Sequence, residues 1–173
     1  MNRCNLTSLF AIAVTAIGLN LLSSNALAQQ KSLKDQLVGT WTLVSSEATA
    51  SNGTKQQYFG ANPRGVLILD SGGRYAQVWG QADRPKFKAS GNLRLDTPAA
   101  EYGEAARAFV GNFGAWTVNE ADKTLTQRYE AALIPNVEGT EAKVSVSLAG
   151  DELKFVATSA TGGRIDTVYR RAK

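Results

Sequence analysis

The chain has 173 residues, of which 43% are hydrophobic and 20% are charged, with a formal net charge of +4. This composition is typical of a single globular domain. The sequence contains no histidine and only one cysteine, Cys4. Histidine-dependent catalytic triads and histidine-ligated zinc or iron sites are therefore excluded. The chemistry that remains uses carboxylate, tyrosine, lysine, arginine or serine side chains, and no metal or cofactor is expected.

The first 28 residues have the features of a secretory signal peptide. Arg3 precedes an apolar stretch at 6–22, and the residues at 26–28 fit the small-residue pattern before a cleavage site. The apolar stretch is short for a membrane-spanning helix, which needs about 20 residues. Cleavage after Ala28 is therefore expected to leave residues 29–173 as a periplasmic or secreted domain without a stable membrane anchor.

Most of the remaining chain consists of short apolar or alternating stretches bounded by turn residues, which predicts strands. Eight strands are predicted, at 39–47, 65–70, 74–79, 114–118, 124–132, 143–148, 153–158 and 164–171. The strand at 65–70 is wholly apolar, which indicates that both of its faces are covered. Eight strands joined mostly by short turns favour a closed antiparallel barrel, whose interior can hold one small ligand.

One helix is predicted between the third and fourth strands. Thr97 is suited to its N-cap, Pro98 to its first position and Gly111 to its end. An apolar stripe at helical spacing joins these ends, formed by Tyr102, Ala105, Ala106 and Phe109. The long connection before the helix, at 80–96, is either a solvated loop or a lid over a cavity.

A series of short motifs carries a resemblance to a known family. Gly39 and Trp41 form a Gly-x-Trp element at the start of the first strand. Further motifs follow in order at 59–65, 73–76, 82–87, 113–118, 135–136, 139–141 and 150–153. From residue 37 to residue 171 the chain resembles the bacterial lipocalin-like domain family. The resemblance implies an eight-stranded, calycin-type all-β barrel with one short inserted helix, but it implies no reaction.

The resemblance also implies the role of one aromatic residue, and this chain departs from the family pattern at three positions. Trp41 would close one end of the barrel under Arg170 or Arg171 through a cation–π contact. The family pattern has histidine where this chain has Arg128, tryptophan where it has Val137 and arginine where it has Val144. A family site that depends on that histidine and that arginine is therefore not carried over intact.

Candidate ligand contacts lie on the third strand and in the connection that follows it. Tyr75, Gln77 and Trp79 share one face of the strand by period-two alternation. They can serve either as packing residues or as ligand contacts, because Tyr and Trp combine an apolar body with a polar tip. Arg84 and Phe87 lie in the long connection, where Arg84 is either solvated or placed over the cavity.

Arg128 and Glu130 form a second candidate group on the fifth strand. The two residues share a face and can form a surface ion pair, which contributes about 0–1 kcal/mol. Alternatively, Arg128 faces inward beside Glu130 and anchors the anionic head group of a ligand. A register slip of one residue decides between these arrangements, because it reverses every face.

Three functions remain open at this stage. The first is an exported protein that binds a small apolar or amphipathic ligand in its barrel. The second is an isomerase or hydrolase in which Glu130 and the adjacent Tyr129 perform acid–base catalysis. The third is an interaction module with a filled core. Basic residues are scattered along the chain, so no nucleic-acid partner is expected, and the sequence predicts no oligomeric state.

Overall fold

The computed structural model describes residues 31–159 and 162–173, and most of them lie in strands. The proposed signal segment, residues 1–28, lies outside the described residues. The helices are α1 (Leu33–Leu37), α2 (Leu93–Asp96) and α3 (Ala99–Arg107), and a 3-10 turn spans Pro135–Val137. The strands are β1 (Gly39–Thr49), β2 (Lys55–Gln56), β3 (Arg64–Leu69), β4 (Arg74–Gly80), β5 (Phe109–Asn119), β6 (Thr124–Ala132), β7 (Glu141–Ala149), β8 (Glu152–Thr158) and β9 (Arg164–Arg171). None of the described helices is long and apolar enough to cross a membrane.

The strands form a closed antiparallel barrel, as predicted. From β3 to β9 each strand pairs with the next one in the chain, and β1 pairs with both β3 and β9. The short strand β2 pairs only with Ala48 and Thr49 at the end of β1, so it lies outside the eight-stranded ring. Closure removes the exposed sheet edges that would otherwise pair with other chains.

The structure corrects the predicted helix and the fourth predicted strand. Helix α3 ends at Arg107, and Pro98 rather than Thr97 is its N-cap. Phe109 and Gly111 belong to β5, which begins five residues earlier than predicted. The reason is that β5 continues its ladder with β4 as far as the pair formed by Gly80 and Phe109. These ladder hydrogen bonds prevail over the helical spacing of the apolar residues.

The prediction that both faces of β3 are covered is wrong. Leu67 and Leu69 are fully or almost fully buried inside the barrel, whereas Ile68 points outward and is 42% exposed. Val66 and Val78 form an outward-facing pair beside it on β3 and β4. The apolar run therefore reflects one buried face and one partly solvated face, which is the usual state of an antiparallel strand.

One end of the barrel is closed around Trp41, which is fully buried. The Trp41 indole N–H donates a hydrogen bond to the Leu37 carbonyl of α1, at 2.8 Å. The Arg171 guanidinium lies 4.1 Å from the centre of the Trp41 ring, and it donates to the Val38 and Gln36 carbonyls. The residue over Trp41 is thus Arg171, whereas Arg170 is exposed on the surface.

Gly39 makes this closure sterically feasible. Its φ of +142° lies in a region that residues with side chains rarely adopt, and a Cβ atom there would lie 2.8 Å from Arg171 Nη1.

The first turn of α1 is anchored to the turn between β5 and β6, because the Glu120 carboxylate accepts hydrogen bonds from the amides of Leu33 and Lys34. The longer connections lie at the opposite end of the barrel, which we call the open end.

Trp41→Ala should destabilise the protein by about 3–5 kcal/mol, because it removes a large buried aromatic ring and the surface on which Arg171 packs. Val44→Ala is the control on the same strand, since Val44 is 41% exposed. It should change the free energy of unfolding by no more than about 0.5 kcal/mol. Chemical denaturation of the three proteins measures both effects, and a similar loss in the two variants would contradict the role of Trp41.

Candidate functional site

The inward face of β4 carries three of the residues singled out from the sequence. Tyr75 and Gln77 are buried, at 3% and 8% exposure, and Trp79 is half-buried near the open end. The intervening residues Ala76 and Val78 point outward. The alternation predicted for this strand therefore directs two hydrogen-bonding side chains and one indole into the barrel.

On the inward face of β5, a glycine lies between two of the inward-facing tyrosines. Gly114 pairs with Tyr75 of β4 on one side and with Tyr129 of β6 on the other. A Cβ atom at Gly114 would collide with the carbonyl oxygen of Arg128. The register shifts at this point, so that Glu130 is an extra residue in β6 and forms a β-bulge. Only glycine fits here, because the backbone of β6 occupies the position that a side chain would need.

Several polar atoms inside the barrel are buried without a hydrogen-bond partner among the described residues. Five of them belong to inward-facing side chains: Tyr75 OH, Trp79 Nε1, Asn112 Oδ1, Gln127 Nε2 and Tyr169 OH. A sixth, Thr97 Oγ1, lies in the connection before α3. Buried polar groups in folded proteins are almost always paired with protein, ligand or ordered water. The interior therefore has unused hydrogen-bonding capacity.

Two of these five groups lie close to each other. Burial raises the pKa of the Tyr169 phenol, and the nearby Trp79 N–H opposes part of that rise, but the two atoms do not reach hydrogen-bond geometry. Tyr75, Asn112 and Gln127 are therefore the clearest unpartnered groups. They lie on the adjacent strands β4, β5 and β6.

Aromatic rings form a continuous path from the open end into the core. Phe59, in the connection between β2 and β3, contacts Trp79 edge-on with ring centres 5.8 Å apart. Trp79 contacts Tyr169 at 5.9 Å, and Tyr169 contacts Phe155 at 5.3 Å. Edge-to-face and tilted contacts of this kind stabilise aromatic clusters. One side of the interior is therefore lined with packed aromatic rings, of which Trp79 lies nearest the open end.

The interior phenols are held in their neutral form. Burial raises the pKa of Tyr75, Tyr129 and Tyr169 above the ordinary value for tyrosine. The three groups are also close enough to interact, since ionisation of Tyr129 would raise the pKa of both Tyr75 and Tyr169. At neutral pH they are therefore hydrogen-bond donors and acceptors without charge.

The sequence and the fold together identify the family. The lipocalin-like domain family matches residues 38–167. The chain belongs to this family. The resemblance noted in the sequence is thus confirmed, and the barrel is a lipocalin-like barrel.

Solved structures similar to this lipocalin-like barrel include natural and designed proteins. A lipocalin-like protein from Bacteroides uniformis is 13% identical, with a TM-score of 0.41, over 79% of this chain and 98% of that chain. Fatty-acid-binding protein 1 of Echinococcus granulosus is 13% identical, with a TM-score of 0.38, over 80% and 99%. A de novo designed fluorescence-activating β-barrel is 12% identical, with a TM-score of 0.42, over 82% and 99%. A comparison with curated proteins gives no match.

The inward position considered for Arg128 is wrong. Leu125, Gln127 and Tyr129 face the interior of the lipocalin-like barrel, so Arg128 and Glu130 face outward and are exposed. The cause is the register, which pairs Leu125 with the buried Val144 and thereby fixes the inward face of β6. Arg128 is therefore not placed to anchor a ligand inside the barrel.

Glu130 forms an ion pair on the outer surface instead. Its carboxylate accepts two hydrogen bonds from the Arg74 guanidinium, and this contact holds the pKa of Glu130 below its usual value. Tyr129 and Glu130 thus point to opposite sides of the sheet. The acid–base pair nominated from the sequence is not brought together.

Arg84 and Phe87 lie at the open end without facing the polar interior. The Arg84 guanidinium stacks 4.7 Å from the centre of the Phe109 ring, and Phe87 packs against Tyr102 of α3 at 4.9 Å. The connection that carries both residues is therefore folded against its neighbours. Among the described residues, no group of three or more acidic or cysteine side chains is placed to hold a metal ion.

The sequence analysis did not single out Asn112 or Gln127, and it placed Tyr129 in a catalytic pair rather than on the inward face. Counting in steps of two from the apolar Leu125 leads to Gln127 and Tyr129, so this face could have been found. Asn112 could not, because the predicted helix ended at Gly111 and the next predicted strand began at Gly114. The contact between Tyr169 and Trp79 depends on the closure of the barrel.

Tyr75→Phe should leave the stability of the ligand-free protein unchanged or slightly increase it, because the deleted hydroxyl is buried without a partner. The matched control is Tyr102→Phe, which removes a hydroxyl that donates to the Leu93 carbonyl at 2.6 Å. This control should lose about 0.5–1.5 kcal/mol. Chemical denaturation compares the two, and a larger loss in Tyr75→Phe would show that the Tyr75 hydroxyl is already satisfied.

The buried phenols should make the protein less stable at alkaline pH. An unfolded tyrosine releases its proton near pH 10, whereas Tyr169 keeps its proton to higher pH because burial raises its pKa. Above about pH 10 the unfolded state therefore binds fewer protons, and the free energy of unfolding falls as the pH rises. Tyr169→Phe should flatten this fall by up to about 1.4 kcal/mol per pH unit, as measured by denaturation at several pH values. Equal slopes in the two proteins would contradict the burial of an un-ionised Tyr169.

Proposed function

We propose that the protein binds a small, uncharged and partly apolar molecule inside its barrel. The observation that carries this proposal is the set of unpartnered polar atoms on Tyr75, Asn112 and Gln127. An unsatisfied buried donor or acceptor costs about 1–3 kcal/mol, and a ligand that pairs with these atoms would recover that cost. A barrel used only as a packed scaffold has no reason to retain them, because apolar side chains of similar shape would be more stable there.

The chemistry of the interior supports an uncharged ligand. Among the described residues, no charged side chain is buried. The phenols of Tyr75, Tyr129 and Tyr169 remain neutral because burial raises their pKa. An anion placed among these groups would lose its hydration without gaining a cation, which is costly. This argues against the anionic head group that an inward Arg128 would have accommodated.

The aromatic path supports a ligand with a flat apolar body. Trp79 is half-buried near the open end, where a ligand can contact its ring, and Tyr169 and Phe155 pack behind it. Leu153 and Val146 are aliphatic neighbours in the same core. Ligand sites in proteins typically combine such apolar walls with a few placed polar groups. The composition of this interior agrees with that pattern.

The same proposal includes export. It is supported by the sequence features of residues 1–28, a basic start, an apolar centre and a small-residue motif ending at Ala28. The binding protein would then work in the periplasm or outside the cell. Native mass spectrometry of the protein isolated from its host should give the mass of the chain from Gln29 to Lys173. The same measurement would show the mass of any molecule that the protein retains. A mass that still includes residues 1–28 would contradict export.

Two probes with the same ring system test the charge preference of the interior. At neutral pH 1-naphthol is uncharged and 1-naphthoate is an anion, so they differ mainly in the charge of the polar group. Isothermal titration calorimetry should show 1-naphthol binding at least about tenfold more tightly, since the interior offers no cation to the carboxylate. Arg128→Met is the control, because Arg128 lies outside the barrel, and it should bind both probes as the unmodified protein does.

Two results would contradict the proposal. Tighter binding of 1-naphthoate would indicate a cationic site, and its loss in Arg128→Met would assign that site to Arg128. Absence of binding by both probes would indicate an interior filled by side chains or ordered water. The interaction-module hypothesis would then be the better account of the fold.

A further inference from the structure

Two arginines and two valines line a cleft on the outer face of the barrel, beside the open end. The cleft has a volume of about 330 Å³ and lies between β3, β4 and the residues that follow β4. Val66 and Val78 are paired across β3 and β4 and form its apolar floor, because both point away from the interior. Arg64 and Arg84 line the same cleft. The sheet itself separates this outer cleft from the interior of the barrel.

Strand pairing brings the two guanidinium groups towards each other. Gly80 lies directly opposite Arg64, and directly opposed residues on adjacent antiparallel strands have Cβ positions about 4.5–5.5 Å apart. A Cβ atom at Gly80 would lie 3.5 Å from Arg84 Nε, so the Arg84 guanidinium lies over this glycine. Both arginines can therefore reach a single ligand in the outer cleft.

Packing against its neighbours orders the Arg84 side chain. Its guanidinium stacks 4.7 Å from the centre of the Phe109 ring. Phe109 is the partner of Gly80 on β5, and its ring would lie 3.0 Å from a Cβ atom at Gly80. Stacking leaves the N–H groups of a guanidinium free to donate in the plane of the group. A side chain that is already ordered also loses less conformational entropy when it binds a ligand.

Neither arginine of the outer cleft has a carboxylate partner among the described residues. Three other arginines form ion pairs with carboxylates, whereas Arg64 and Arg84 form none in the part of the chain that the structure describes. The described residues that line the cleft include no acidic side chain. Asp83, which precedes Arg84 in the sequence, lines a different cleft. Two cations thus lie beside an apolar floor without a counter-charge, which favours an anionic ligand.

The number of charges favours a phosphate monoester over a carboxylate. A phosphate monoester carries about −1.5 to −2 charge near neutral pH and has three acceptor oxygens. A carboxylate has one charge and two oxygens, and a single guanidinium can satisfy it through two parallel hydrogen bonds. Two unpaired arginines therefore match a phosphate monoester both in charge and in the number of donors.

We propose that the outer cleft binds a small soluble phosphate monoester that carries a compact apolar group. The phosphate lies between the guanidinium groups of Arg64 and Arg84, and the apolar group contacts Val66 and Val78. This site is independent of the uncharged ligand proposed for the interior. Either proposal can therefore fail without the other.

Three probes separate the contribution of the phosphate from that of the apolar group. Phenyl phosphate carries both groups, inorganic phosphate lacks the ring, and benzoate has a carboxylate in place of the phosphate. Isothermal titration calorimetry at low salt should show phenyl phosphate binding at least about fivefold more tightly than inorganic phosphate. It should also bind at least about tenfold more tightly than benzoate, which uses only one of the two cations.

Substitutions in the outer cleft should weaken binding according to the group that each removes. Arg64→Gln and Arg84→Gln should each weaken phenyl phosphate about fivefold or more, because each removes one charged donor group. Val78→Ser should weaken phenyl phosphate and leave inorganic phosphate within about twofold. Arg128→Gln is the matched control, since Arg128 is an exposed arginine on β6 that does not line the cleft, and it should change neither probe. All four positions are exposed, so none of these variants alters the buried core.

Two further measurements locate the site and the source of the phosphate. Both arginine variants should bind 1-naphthol as the unmodified protein does, because the outer cleft is separate from the interior. Vesicles of phosphatidylcholine and phosphatidic acid in equal amounts should not co-sediment with the protein, since the ligand is soluble. Co-sedimentation that is lost in Arg64→Gln would instead assign the phosphate to a lipid head group.

Three results with the soluble probes would overturn the proposal. Absence of phenyl phosphate binding would show that the two arginines are only solvated. Equal weakening of phenyl phosphate by Arg64→Gln and Arg128→Gln would indicate attraction to the overall positive charge rather than a site. Equal or tighter binding of benzoate would contradict the requirement for two cations.

Discussion

The contact between Trp41 and Arg171 is the constraint on which the rest of the barrel depends. The two residues are paired across β1 and β9, the first and last long strands, so they lie at the point where the sheet closes on itself. Their side chains form a cation–π contact, and the guanidinium also binds the Val38 and Gln36 carbonyls that lead into β1. One side chain thus ties together the sheet closure, the first helix and the buried indole.

Buried polar groups have hydrogen-bond partners at the closed end of the barrel, whereas several in its middle do not. At the closed end the indole N–H of Trp41 and the guanidinium of Arg171 have carbonyl partners, and Trp116 donates to the Asp70 carbonyl at 3.1 Å. In the middle, Tyr75 and Gln127 are equally buried but have unpartnered atoms. The closed end holds its polar groups in hydrogen bonds, whereas the middle of the barrel retains polar atoms whose pairing the fold does not supply. Departures from full satisfaction are expected at functional sites rather than in a structural core.

Alternation in the sequence was sufficient to predict the architecture, because strands β6 and β9 have the predicted bounds and closure needs only eight such strands. It was insufficient where two periodicities overlapped, as at Phe109, whose spacing fits the helix but whose partner is Gly80. The side of the sheet on which Arg128 lies required the pairing of Leu125 with Val144, which a single sequence does not reveal. The inward polar residues were therefore only partly visible before the fold was known, through Tyr75 and Gln77.

The separation of charge from the interior determines what kind of selectivity this barrel can have. Arg74, Arg128 and Glu130 lie outside, so charge attraction can act on an approaching molecule but not on a bound one. Inside, discrimination depends on whether a ligand satisfies the carboxamide and phenol groups that are already desolvated. A site of this kind rejects an analogue that lacks the matching groups more strongly than an apolar pocket rejects a change of size, because the unmatched groups remain buried and unpaired.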